Sequence, residues 1–547
     1  MKLNNLLAGA ILITMTGCAN QKKEVDLLLT GGVIYTVDEA FNVAEAMAIH
    51  NGRIEAVGSS RDLLRNYRAR EITDLKGNFV YPGWIDAHCH FFGYGMNFNS
   101  ANLVGTGSPA EVIERLKQHQ ENLHGTWITG RGWDQNDWEV KAFPTREMLD
   151  RHFPDTPVLL RRIDGHAAWV NTAALEAAGI TSRTRVEGGA VLLENGTPSG
   201  ILVDNAIGLV SVLIPPPTKA AMINALQQAE ENCFSVGLTS VQDAGLELET
   251  VELIDSLYRE GALKIRMNTW LSPTEENFDH FVSKGPMQND YLSVNTIKLF
   301  ADGALGSRGA RMLEPYSDDP GNRGLYVTSV ESLEQYCRRA YDHHFAVATH
   351  AIGDAANRTM LQIYGSILKG KNDRRWRIEH AQVIAPEDFH LFGDYSIIPS
   401  VQPTHATSDM YWAEERLGPD RIRGAYAFRS LLEQNGWLAA GSDFPVESIN
   451  PLFGYYAAVT RKDQAGYPET GFYPEEALSR EDALRAMTIW AAKAGFEEEL
   501  KGSIEPGKLA DLVVTGTDLM TAPAGELFGI RVLATYSAGV PVYRHSP

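Results

Sequence analysis

The apolar run Phe79 to His90, FVYPGWIDAHCH, closes on a His-x-His pair, His88 and His90. Side chains alternate along a strand, so these two imidazoles face one way and Cys89 the other. Two neutral imidazoles on one face can grip a single divalent ion. Further metal-binding types lie downstream: Lys298 in TIKLFADG, His350 in ATHAIGD, His380 in IEHAQ and Asp443 in GSDFPV. Each sits near the C-terminal end of an apolar, β-type run. A lone histidine is usually just hydrogen-bonded, but a set of them on successive strand ends, with a carboxylate on the last, points to metal chemistry.

The elements that must position these residues are eight such runs alternating with helical patterns. After the run from Phe79 come Gly237 to Gly245, Ile265 to Trp270, Thr296 to Gly303, Phe345 to Asp354, Trp376 to Gln382, Ile397 to His405 and Leu438 to Val446. This alternation predicts an α/β fold, a (β/α)8 barrel whose strand ends converge on one catalytic mouth, with an open doubly wound sheet as the other arrangement. About 145 residues separate the first run from the second, too many for a structureless connection, so an inserted subdomain is expected over residues 100–230. The insert carries RGWDQNDW (Arg131 to Trp138) and RRIDGHAAWVN (Arg161 to Asn171). Short Val- and Ile-rich runs with an Asn51-Gly52 hairpin signal precede the barrel, and similar runs follow it. Residues 24–82 and 503–547 are therefore read as one β-sandwich built from both termini, around a barrel at 83–502.

Hydrophobic residues at 44% and charged residues at 22% of 547 are globular values, so disorder is not indicated. A net charge of −20 and a pI near 5.2 argue against nucleic acid as a partner, since polyanion sites need clustered Lys and Arg. Residues 1–18 pair a basic start with a short apolar run ending in Met15-Thr16-Gly17-Cys18. The segment resembles a bacterial lipoprotein signal, which implies lipidation at Cys18 and a place in the cell envelope. Ala19 favours the periplasmic face of the outer membrane, with the lipid anchor as the only membrane contact. Cys89, Cys233 and Cys337 are too few and too scattered for a disulfide framework and read as small buried apolar residues.

The order His-x-His, Lys, His, His, Asp, with PGWIDAHCH near the start and GSIEPGKLADLVV near the end, resembles the amidohydrolase superfamily of metal-dependent hydrolases. KLFADGALGSR and THAIGD are similar to its family 3 branch, which includes N-substituted formamide deformylases. The resemblance implies hydrolysis of a non-peptide C–N bond in a small-molecule amide by a metal-activated hydroxide. It implies His88, His90 and Asp443 on one metal and His350 and His380 on a second, with Lys298 carboxylated and bridging the two. A carbamate is anionic where an ammonium would repel two dications, and burial lowers a lysine's pKa toward the free amine that CO2 requires. Nitrogen and oxygen ligands favour zinc. Asp443 is expected to take and return the proton.

His166, Trp133 and Asp134 are expected to reach substrate from the insert, with Asp302 beside them. Alternatively, Asp302 pairs with an uncarboxylated Lys298, leaving one metal. The insert's aromatics favour an apolar or aromatic group next to the scissile bond. Two other functions stand beside amide hydrolysis. One is a single-metal aminohydrolase, disfavoured because Glu379 should point away from His380 on a strand; the other is a lipoprotein that binds a small molecule without turnover. The sequence leaves a homo-oligomer open.

Overall fold

Gly83 divides the run that opens the chemistry. The computed structural model describes residues 22–120 and 126–545, so the signal segment and Cys18 lie outside the described residues. Phe79 to His90 is not one strand: Phe79–Pro82 joins a terminal sheet, and Trp84–Cys89 is the first barrel strand. Thr239 packs where a side chain at Gly83 would stand, 2.2 Å from an ideal Cβ, so the chain passes between the two sheets only with glycine there.

The barrel strands are β1 (Trp84–Cys89), β2 (Leu238–Leu246), β3 (Arg266–Leu271), β4 (Leu292–Phe300), β5 (Ala346–Ala351), β6 (Arg377–His380), β7 (Ile398–Val401) and β8 (Ala439–Ala440). They lie side by side in chain order and all parallel, with helices between them. The ring closes through the segment after β8. The Asp443 amide donates to the His88 carbonyl at 2.7 Å, and the Ser442 amide and hydroxyl bond the Asp86 carboxylate. The same bonds that close the barrel thus set Asp443 against His88. β7 is shorter than the sequence suggests, and His405 sits on the helix Pro403–Asp409 that follows it.

Both termini build the sandwich. Leu512–Thr515 pairs antiparallel with Phe79–Pro82, and Val532–Ser537 and Val540–Arg544 extend that sheet. A second sheet holds Lys23–Thr30, Ala46–His50, Arg53–Gly58 and Tyr67–Asp74, and Leu29, Met47, Leu512 and Tyr536 share the core between the sheets. Asn51 and Gly52 both take positive φ, as the hairpin signal requires. The insert contributes a separate six-stranded mixed sheet between β1 and β2, running from Ala101–Asn102 to Thr197–Asp204. Helix Lys219–Ser235, mostly inside the expected insert range, packs instead into the barrel's core through Met222, Leu226 and Phe234.

Candidate metal centre and active site

The C-terminal ends of the barrel strands open into a cavity of about 1350 Å3, roofed by the insert and lined by His88, His90, Lys298, His350, His380 and Asp443. Asp443 is the hub. Its Oδ1 lies 3.4 Å from His90 Nε2 and 3.8 Å from His88 Nε2. The ligand atoms of His88, His90 and Asp443 all lie within 4.8 Å of one another, as do those of His380, His405 and Asp443. His350 borders this cluster, its ring 4.5 Å from that of His380, but its Nε2 faces the Gly303 carbonyl at 3.4 Å.

Burial pushes the His88 imidazole down to about 4 with help from nearby Lys298, and burial likewise holds His350 and His380 well below their ordinary value. Against the burial that would raise it, the imidazoles of His405 and His90 beside its oxygens keep Asp443 well below the usual carboxylate range. The result is neutral imidazole lone pairs around a carboxylate. Buried Asp443 Oδ1 and His380 Nδ1 have no hydrogen-bond donor or acceptor of their own. A divalent cation fits this donor set, which otherwise leaves buried polar atoms unpaired.

Lys298, on β4, places Nζ 3.1 Å from His88 Nε2 and over the Phe300 ring. Burial lowers its pKa to about 8 even though Glu379 and Asp443 pull the other way. It does not pair with Asp302. That carboxylate accepts the amides of Ile352, Gly353 and Arg311, anchoring the loop after β5, and it does not reach the cavity, contrary to its expected contact with substrate.

Glu379 also departs from expectation. His380 and Ala381 take φ of 71° and 41°, which breaks the strand alternation and turns His380 inward beside Glu379, the register partner of His350. Glu379 Oε2 lies 2.7 Å from His88 Nδ1, and Arg377 Nε lies 2.9 Å from its other oxygen. A carboxylate at Nδ1 favours the proton there and directs the Nε2 lone pair toward Lys298 and the cavity. Glu379→Gln should weaken metal affinity by roughly 10- to 100-fold in a chelator competition, and wild-type affinity would show that the contact does not orient the ligand.

From the insert, His166 does arrive: its ring stands 4.9 Å from that of His350, and its Nδ1 lies 2.6 Å from Asp204 Oδ1. Asp134 lines the cavity but is ion-paired to Arg162. Trp133 does not reach the cavity. A bulge at Gly132, φ 117°, turns it away from the face of Arg131 into the insert's core, against Trp138 and Trp169. The cavity's aromatics come chiefly from the barrel instead, among them Phe92, Tyr94 and Trp412.

His405 is the functional candidate that sequence reasoning passed over. Its Nδ1 lies 3.0 Å from Glu447 Oε1 and its Nε2 3.4 Å from Asp443 Oδ2. Although burial opposes it, these two carboxylates raise the imidazole to about 10, so His405 acts as a donor that holds Asp443 in place. The signal was available, since His405 follows the apolar run IIPSV in the way the other site residues follow theirs.

Residues 71–543 match the sequence signature of the amidohydrolase family. The chain belongs to that family. This amidohydrolase is 36% identical over 538 residues to the Arabidopsis thaliana protein LONG AFTER FAR-RED 3, covering 95% of this chain and 91% of that one. It is 27% identical to an N-substituted formamide deformylase from Arthrobacter pascens, over 95% of this chain and 99% of the relative. A solved structure, an uncharacterised metal-dependent hydrolase from Pyrococcus horikoshii, superposes with a TM-score of 0.75 at 29% identity, covering 92% of this amidohydrolase and 99% of that chain. The family and the residues at the barrel mouth make this amidohydrolase a metal-dependent hydrolase with a (β/α)8 barrel.

Proposed function

We propose that the protein hydrolyses a non-peptide C–N bond, an amide or N-substituted formamide, in a small molecule. The observation that carries this reading is the group formed by buried His88, Lys298, His350, His380 and Asp443 with half-buried His90 on the floor of one cavity. His88, His90 and Asp443 would hold one metal ion. His350 and His380 would hold a second, with Lys298, as its carbamate, between them. Divalent cations, zinc by the donor types, supply Lewis acidity that polarises a carbonyl and makes water acidic.

The chain's own residues do the rest. Asp443 Oδ1 faces the cavity without a donor and accepts the proton of the attacking water, then returns it to the departing nitrogen. His405, backed by Glu447, holds the other oxygen of Asp443. His166, fixed by Asp204, covers the pocket from the insert side and offers a polar contact to substrate. A deaminase needs a glutamate acid at the substrate, and Glu379 is fully buried behind His88, away from the cavity. The full-length formamide deformylase relative supports the same bond class.

The test is a panel of formamides and acetamides, N-benzylformamide among them, with the metal-loaded protein prepared in bicarbonate. Release of amine is expected, abolished by chelation and restored by added zinc. No amine from any amide, with metal measurably bound, would sink the reading.

A further inference from the structure

Two strands of the insert place a pair of arginines at the roof of the cavity. Ile128–Trp133 and Val158–Arg162 run parallel, and Arg131 stands in register with Arg161. Register partners share a face, and both side chains line the cavity above the metal-binding residues. Their neighbour Arg162 is neutralised between Asp134 and Asp164 and also donates to Gln135. Arg131 makes one hydrogen bond, to the Ile163 carbonyl at 2.8 Å, and its buried Nε has no partner. Apart from the strand pairing of its backbone, Arg161 has, among the described residues, neither a side-chain hydrogen bond nor an ion pair. Asp134 and Asp164 are both taken by Arg162, so among the described residues no carboxylate is ion-paired to Arg131 or Arg161. Of the other mouth acids, Glu447 is engaged with His405 and Ser408 and Asp409 with Tyr426 and Gln382, while Asp137 lines the same wall without pairing to Arg131 or Arg161.

Burial disfavours unpaired charge, so a guanidinium pair kept half-buried without a counter-ion calls for an anion from outside. We propose that Arg131 and Arg161 bind a carboxylate carried by the amide substrate, selecting N-acyl or N-formyl compounds that bear one acidic group. This rests on the amide-hydrolase reading above. The two forks offer parallel N–H donors to a planar carboxylate. The barrel's aromatics provide the apolar surface beside it.

The experiment compares N-formyl-L-phenylalanine with N-formylphenethylamine, which lacks only the carboxylate. The wild-type protein should prefer the acid, and in Arg161→Gln the ratio of kcat/KM for acid over neutral compound should fall roughly 10- to 100-fold, mainly through KM, with Arg161→Lys between the two. An unchanged ratio in Arg161→Gln would overturn the proposal. If the wild-type protein turns over neither compound, formamide hydrolysis fails while the anion site is still decided by calorimetry with hippurate on the metal-loaded protein. Binding weakened to the same degree in Arg161→Gln upholds the site. Equal binding by the two proteins, no binding to wild type, or tighter binding of inorganic phosphate than of hippurate overturns it.

Discussion

Asp443→Asn is expected to keep most of the wild-type metal and lose turnover by roughly 10²- to 10⁴-fold, the usual reach of a general acid–base group. Asparagine preserves the shape and one coordinating oxygen, and its backbone amide still donates to the His88 carbonyl that closes the barrel. What disappears is the anionic oxygen that faces His90 and His88 with no donor of its own. Elemental analysis beside steady-state kinetics separates the two effects. Full activity in a metal-replete Asn variant would remove Asp443 from proton transfer, whereas loss of metal in step with activity would reduce it to a ligand.

Lys298→Ala should have an effect of similar size by another route. With bicarbonate present, wild-type protein is expected to hold about two metal equivalents and the variant one or none, with turnover lost accordingly. Nζ is buried beside His88, over the face of Phe300, and Asp302 is fully engaged by backbone amides. Among the described residues no carboxylate is ion-paired to it, which is the environment in which an amine reacts with CO2. A metal content of one equivalent or less that does not change on substitution would make Lys298 structural and restore the single-metal alternative.

The barrel was legible because parallel strands buried on both faces write long apolar runs, and the residues ending each run are the ones brought to its mouth. Alternation failed where the backbone leaves regular geometry. His380 at positive φ turns to the same side as Glu379, and the glycine bulge before Trp133 sends that indole into the insert's core. Neither is visible in a two-residue period. His405 was hidden by a boundary error: the run from Ile397 was carried past the true end of β7, so a residue opening the next helix was counted as strand. The arginine wall was in plain view as RGW and RRIDGH, but only the register of the two strands shows that Arg131 and Arg161 stand together.

The pairing of Phe79–Pro82 with Leu512–Thr515 bears on how the protein is made. A ribosome delivers the His-x-His strand early, yet the sheet that anchors it through Gly83 lacks its central neighbour until the final segment emerges. Contacts so distant along the chain form late and slowly. The strand that carries His88 and His90 therefore gains its firm footing only once the C-terminal segment has been made.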